Sequence, residues 1–287
     1  MSIQPIDPAE FQESQRAAWS SVASGWSEWW DIFEQGASNL NRTLVDRSRA
    51  ASGDRVLDIA TGVAEPAVTA ARTVGPTGSV LATDLSSEML RFGVERAKSA
   101  GLDNIEFLEC DAHELALEPG SFDAAVSRWG IMLMLDPSRV LENIHSALRP
   151  GATLAASVWG DPKSAPFLAT PMRAARSVLD LEPPPADAPG PFRLCDEGAL
   201  DALMLRAGFT EVEHESVTVH MNFASFREYR DFLGDLSSSF KRMLAELTEA
   251  ERESVWAAVE RETEPHQHSD GRVLFANQAW CVWGLRS

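Results

Sequence analysis

Short apolar runs and longer amphipathic stretches alternate along the middle of the chain. Runs at 55–60, 79–83, 105–110, 122–127 and 153–159 are dense in apolar residues and too short for helices. Between them, apolar positions fall at helical spacing over 66–74, 87–100 and 137–148. Apolar strands separated by helices of this length predict βαβ units and a mostly parallel sheet covered on both faces. The punctuation agrees. Pro66 stands where the first turn of a helix tolerates proline, Ser86 precedes Glu88 and Met89 as an N-cap, and Gly101 and Arg149-Pro150-Gly151 close the next two helices.

Outside this stretch the pattern changes. Residues 9–50 read as helices whose heaviest side chains are Trp19, Trp26, Trp29 and Trp30. Residues 160–195 contain Pro183-Pro184-Pro185 and Pro189-Gly190-Pro191 and read as a mobile connection around one short helix. A helix over 197–207, stopped by Gly208, leads to a strand at 212–221, a charged helical stretch at 225–264 and a final strand at 278–285. The expected fold is α/β, a Rossmann-like sheet of seven strands. Its expected parts are an N-terminal helical lid at 1–50, a cofactor-binding core at 51–160, a connection with late core elements at 161–224, a helical substrate cap at 225–272 and the last strand at 273–287.

Charge narrows the partners. With 25 basic and 43 acidic residues the net charge is −18, a balance that repels phosphate backbones and anionic membranes, so no nucleic acid partner is expected. Cys110, Cys195 and Cys281 are far apart and lack CxxC or Cys/His spacing, which points to a reduced cytoplasmic setting without disulfides. No stretch reaches the roughly 18 apolar residues of a membrane span, and the N-terminus lacks a signal-like run.

In an open parallel sheet, ligands bind beyond the carboxyl ends of the strands. The residues there are Asp58 and the Gly62 turn, then Asp84, then Asp111-Ala112-His113, then Ser127-Arg128-Trp129-Gly130. A carboxylate ending the second strand suits a ribose diol, in NAD enzymes and S-adenosylmethionine enzymes alike. Asp111 can accept an adenine amino group and Ala112 can donate its backbone N–H to the ring. The loop separates the two cofactors. Gly62-Val63-Ala64-Glu65-Pro66-Ala67 has alanines where a pyrophosphate loop needs glycines, adds Glu65 and loses an N–H at Pro66. That is a poor anion cradle, whereas the cationic end of S-adenosylmethionine suits Asp58 and Glu65.

With these residues in view, the chain resembles the class I S-adenosylmethionine-dependent methyltransferases, in the broad group that includes ubiquinone and menaquinone methylases. The matching segments, in family order, are VLDIATGVAEPA, VLATDLSSEML, NIEFLECDAHEL, SFDAAVSRWGIMLMLDP and LRPGATLAASVW. The closing strand is similar to the reversed last strand of that family. The resemblance implies S-adenosylmethionine as cofactor, with Asp58 and Gly62 near its methionine part, Asp84 at the ribose and Asp111 with Ala112 at adenine; Ala64, Leu85, Met89, His113 and Ser127 complete the cofactor-binding candidates. Ala64 departs from the usual glycine.

The acceptor is read from the remaining walls. Trp26, Trp30, Arg128, Trp129 and Met132 are the substrate-binding candidates, joined by Met134 and by Phe226, Phe232 and Phe240 of the insertion. An apolar, aromatic lining favours a hydrophobic small molecule, methylated at oxygen or carbon by in-line displacement. The loop after the fourth strand lacks the Asn/Asp-Pro-Pro-aromatic run of amino-group methylases, and no metal is expected. No catalytic residue is assigned; His220 is the favoured base if one is used. A cyclisation without methyl transfer and an NAD-type nucleotide-binding protein are the alternatives, and a homodimer is compatible with the sequence.

Overall fold

The computed structural model describes residues 7–287; the first six residues of the expected lid lie outside the described residues. Three helices, α1 (Pro8–Ser20), α2 (Ala23–Glu28) and α3 (Trp30–Arg47), precede the sheet. Then β1 (Arg55–Ile59), α4 (Ala67–Val74), β2 (Ser79–Asp84), α5 (Ser87–Ser99), β3 (Ile105–Glu109), β4 (Phe122–Arg128), α6 (Pro137–Ala147) and β5 (Leu148–Trp159) follow in alternation. The second half contributes α7 (Pro166–Leu179), α8 (Ala199–Arg206), β6 (Phe209–Phe223), α9 (Phe226–Leu236), α10 (Ser238–Ala245), α11 (Glu249–Thr263) and β7 (Val273–Arg286).

The seven strands form one sheet in the order β3-β2-β1-β4-β5-β7-β6. The first five are parallel, and β7 runs antiparallel to both β5 and β6, with Ser157 opposite Cys281 and Glu215 opposite Cys281. β1 sits at the centre and is buried along its length except at Arg55, as a strand covered by helices on both faces must be. Strand order reverses between β1 and β4, so their carboxyl ends open the crevice where such sheets bind ligands.

Local chemistry sets the helix ends that border this crevice. The Ser86 hydroxyl accepts from Met89 N at 3.2 Å to start α5, and the Asp136 carboxylate accepts from Arg139 N at 3.1 Å to start α6. Asn104 Nδ2 donates to Ala71 O and Gly75 O, tying down the C-terminal end of α4. α3 buries Phe33, Ala37, Leu40 and Leu44 on one stripe. At Gly36 an added Cβ would lie 2.2 Å from His220 O, so the helix rests directly on the β6 backbone.

The one short helix expected in the connection at 160–195 is longer than expected. It is α7, of 14 residues, with Pro171 in its interior. Proline cannot donate to the carbonyl four residues back, here Phe167 O. That carbonyl accepts instead from the hydroxyl of Tyr229, at 2.6 Å. Tyr229 is the chain's single tyrosine; it is fully buried, and burial raises its pKa well above the usual phenol value. The helix breaker is tolerated because a side chain 62 residues away, on α9, replaces the missing donor. Tyr229→Phe should therefore cost about 1–3 kcal/mol of folding stability by denaturant titration, far more than a methyl-sized change warrants. In a Pro171→Ala background, which restores an N–H, the same substitution should cost clearly less. Equal costs in the two backgrounds would overturn this account.

The insertion phenylalanines also settle elsewhere than expected. Phe232 packs edge-on to Trp29 at 5.7 Å and to Phe167 at 5.6 Å, and Phe240 packs edge-on to Trp256 at 5.2 Å. Phe223, Tyr229 and Phe275 complete an aromatic core between α7, α9 and the β6–β7 pair. These rings hold the insertion to the sheet edge. Among the described residues, no helix is long and apolar enough to cross a membrane.

Candidate functional site

The loop leaving β1 turns sharply, and three of its residues adopt positive φ: Ala60 at 56°, Gly62 at 58° and Ala64 at 80°. A left-handed alanine costs about 1–2 kcal/mol relative to glycine, so the neighbours must hold both alanines in place. They do so through two glycines. A Cβ added at Gly130 would sit 2.6 Å from Ala60 Cβ, and one added at Gly93 would sit 3.3 Å from Ala64 Cβ. Each methyl that this loop has in excess of glycine fills the space left by a glycine elsewhere. Only its spacing, two residues before Gly62, marks Ala60 in the sequence.

This pairing gives a direct test. Gly130→Ala should destabilise by about 1–3 kcal/mol through overpacking, and Ala60→Gly in the same chain should recover most of it. Additive effects in denaturant melts of the single and double variants would refute the pairing.

Asp84, at the end of β2, is the hub of the loop. Its Oδ2 accepts from Gly62 N and its Oδ1 from Ser86 N, both at 2.9 Å. Burial raises its pKa against the pull of these backbone donors. Asp111 follows β3, and its Oδ1 takes both the backbone N–H of His113 at 2.9 Å and the ring Nδ1 at 2.6 Å. Burial works against ionisation of Asp111, but the His113 bonds prevail and hold the carboxyl below its usual range. The other ring nitrogen, Nε2, accepts from Asp136 N at 3.0 Å. His113 thus ties the loop after β3 to the start of α6, with a proton on Nδ1 and none on Nε2.

Behind the loop lies a buried ionic cluster. Arg128, ending β4, donates through Nη1 to Glu34 Oε2 and to Asn41 Oδ1, each at 2.8 Å, and its Nη2 lies 2.7 Å from Glu34 Oε1. Asn41 Nδ2 donates in turn to Glu34 Oε2 at 2.6 Å. The guanidinium lies 5.5 Å from the Phe33 ring centre and 5.1 Å from that of Trp129. Glu65 accepts from Thr69 N and Oγ1. Burial first, then Glu34, push its carboxyl up to about 7. Asp58 is fully buried; its Oδ2 accepts from Thr61 Oγ1 at 2.6 Å and its Oδ1 has no partner, and burial pushes it up to about 8.

A cavity of about 490 Å³ opens at these strand ends. Of the residues expected around a cofactor, Gly62, Asp84, Leu85, Met89, Asp111, Ala112 and His113 line it. Asp58, Ala64 and Ser127 do not: Asp58 braces the loop through Thr61, Ala64 is packed against α5, and Ser127 donates to Ile59 O at 3.0 Å. Of the expected substrate contacts, Trp26, Arg128 and Trp129 line the cavity. Trp30 instead lies under the Arg96 guanidinium at 3.2 Å, and Met132 is buried in the main core. His220 sits exposed on β6, away from the cavity, because β6 turns alternate side chains outward.

Residues outside the expected set complete the walls. Phe11, Gln12, Gln15 and Trp19 reach in from α1, and Leu133, Met134 and Leu135 from the turn after β4. That turn is clamped from outside, since Arg193 Nη1 donates to Met134 O at 2.5 Å and to Leu135 O at 3.2 Å. α1 has no buried residue; its ties to the core include the Arg16–Glu109 ion pair and a 2.9 Å contact between the Ser20 and Ser86 hydroxyls.

The residues present fit S-adenosylmethionine. Among the described residues no cation pairs with the Asp84 carboxylate in the cavity wall, as a ribose diol requires, and the wall is acidic at Glu65, with the Asp58 oxygen that lacks a partner behind it, as a cationic ligand requires. Among the described residues no group of His, Cys, Asp and Glu is placed to hold a metal ion.

Comparison with known proteins agrees with the geometry. Residues 50–170 match the family model described as a methyltransferase domain. Over these residues the chain is similar to methyltransferase domains, and the fold and the site are those expected for S-adenosylmethionine-dependent methyl transfer. It is similar to the ubiquinone/menaquinone biosynthesis C-methyltransferase UbiE of Pseudomonas entomophila, 28% identical over 225 residues, covering 74% of this chain and 88% of the relative. In fold it is similar to Haemonchus contortus phosphoethanolamine N-methyltransferase 2, solved with S-adenosyl-L-methionine. There the TM-score is 0.59 at 19% identity, over 99% of this chain and 60% of the other. It is also similar to the [4+2]-cyclase SpnF, with a TM-score of 0.54 at 20% identity, over 88% of this chain and 81% of the other.

Proposed function

We propose that the protein methylates a hydrophobic or aromatic small molecule at oxygen or carbon. The observation that carries this reading is the apolar part of the cavity wall, where Trp19, Trp26, Trp129, Leu133 and Met134 converge. Of the two arginines lining the cavity among the described residues, Arg128 is occupied by Glu34 and Asn41 and is not free to bind an anionic substrate. Similarity to a C-methyltransferase of quinone biosynthesis supports the same class of acceptor.

In this reading Asp84 receives the ribose hydroxyls, Asp111 and Ala112 the adenine edge, and the Gly62–Glu65 loop the methionine end. Bound S-adenosylmethionine supplies a methyl group already made electrophilic by positive sulfur. The chain's task is then alignment and exclusion of water rather than strong acid–base work. α1 lines the cavity with Phe11 and Trp19, and the turn clamped by Arg193 lines it with Leu133, Met134 and Leu135. His113 is the one histidine lining the cavity among the described residues, and both its ring nitrogens are engaged. That arrangement favours acceptors that arrive as good nucleophiles, such as phenolates or electron-rich ring carbons.

The test is to incubate the protein with S-adenosylmethionine and a panel of phenols, hydroquinones and amines. Release of S-adenosylhomocysteine with a product heavier by one methylene is expected for the first two. Methylation confined to amines would overturn the proposal, and conversion without a gain in mass would favour a cyclisation.

A further inference from the structure

The charges around the loop after β1 do not balance. Glu65 lines the cavity, is 7% exposed, and uses one oxygen for both the amide and the hydroxyl of Thr69. Arg128 of β4, which acts on it, is already held by Glu34 of α3. Asp58 of β1 lies behind the loop with an unpartnered oxygen. Arg96 of α5 brings the second positive charge, but it is stacked on Trp30, donates to Val63 O, and is faced in turn by Asp31 of α3. Asp84 of β2 binds the amide of Gly62 in the same loop. Five carboxyls, Asp31, Glu34, Asp58, Glu65 and Asp84, thus stand against two guanidiniums, Arg96 and Arg128. Burial, then Glu34, hold Glu65 up to about 7, so the cofactor-free cavity keeps this carboxyl partly protonated near neutrality.

S-adenosylmethionine carries one more positive charge than S-adenosylhomocysteine, because the sulfonium becomes a neutral thioether when the methyl leaves. We propose that Glu65 makes the site tell the two apart by charge: it gives up its proton to solvent when the cationic cofactor binds, and takes one back once the sulfur is neutral. This rests on the cofactor assignment above. Its consequence is release of the spent cofactor, since the transfer itself removes the charge that the ionised carboxylate favours.

The sign follows from linkage. A nearby cation lowers the carboxyl's pKa, so binding releases a proton in the window below about 7, and S-adenosylmethionine binds more tightly as pH rises through that window. S-adenosylhomocysteine gains less, and the ratio of the two dissociation constants should widen by roughly threefold to tenfold between about pH 6 and about pH 8.

Titration calorimetry of the whole chain with each ligand, in two buffers of different ionisation enthalpy, measures both the ratio and the protons released. More protons should leave with S-adenosylmethionine than with S-adenosylhomocysteine. Glu65→Gln, which keeps an oxygen for Thr69, should flatten the pH dependence of the ratio; titration of each ligand's own amino group is common to both proteins and cancels. A ratio independent of pH in the wild type, or unchanged widening in the variant, would overturn the proposal. Should the variant fail to fold, the two-buffer comparison on the wild type decides when made at about pH 6, below the range in which an α-amino group titrates. Failure of both ligands to bind at any pH would overturn the cofactor assignment instead.

Discussion

Replacing Arg128 with methionine should destabilise the folded chain by about 3–5 kcal/mol, the cost of leaving a buried carboxylate without its partner. Glu34 loses its bidentate partner, Asn41 loses a donor, and Glu65 and Asp58 lose the positive charge that offsets their burial. The deficit should depend on pH. Glu65 already has a folded pKa above its unfolded value, so its neutral form is retained at low pH and its burial costs stability as pH rises towards 7. Removing Arg128 raises that folded value further, so the deficit should be small near pH 5, where carboxyls can protonate, and grow through about pH 8. Denaturant titrations at several pH values measure this directly. Methionine at both 128 and 34 should recover much of the loss, because a buried pair replaced whole by apolar groups is often close to neutral. A deficit below about 1 kcal/mol, or one indifferent to pH, would mean that the cluster contributes little.

Asp84→Ala should weaken S-adenosylmethionine binding by roughly 10- to 150-fold, corresponding to about 1.5–3 kcal/mol for hydrogen bonds to a charged group. The substitution also frees Gly62 N and Ser86 N, so part of the loss arises from a loosened loop. Asp84→Asn separates the two contributions: it retains one acceptor oxygen for a backbone amide but lacks the charge and the second acceptor for a diol. Its loss should fall between wild type and alanine. Calorimetric affinities of alanine and wild type within threefold of each other would remove Asp84 from the cofactor site.

The five parallel strands and their intervening helices were legible in the sequence because each is an apolar run bounded by strong punctuation. The reversed last strand came from resemblance, since periodicity does not specify strand direction. The full length of α7 was not legible. Pro171 reads as a breaker, and its compensating donor, the Tyr229 hydroxyl, is remote in sequence. The phenylalanines of the insertion were read as pocket walls from their composition, but composition cannot say whether an aromatic cluster faces a ligand or its own neighbours. In the site, Gly62, Asp84 and Asp111 were placed by strand ends, where spacing is informative. The contribution of α1 to the cavity was not, because Phe11 and Gln15 carry no motif. The role of Arg128 depended on Glu34, which lies 94 positions away on a helix whose packing no local pattern specifies.

Trp129 lines the cavity with φ at 57° and lies face to face with Trp159, the ring centres 4.0 Å apart at an angle of 11°. Two indoles that close share their electronic transitions, and only one of the pair borders the cavity. Any ligand that tilts Trp129 will alter that coupling while Trp159 stays fixed in the sheet. The protein therefore carries a built-in optical reporter: a paired near-ultraviolet circular dichroism band that tracks occupancy of the cavity without label or assay.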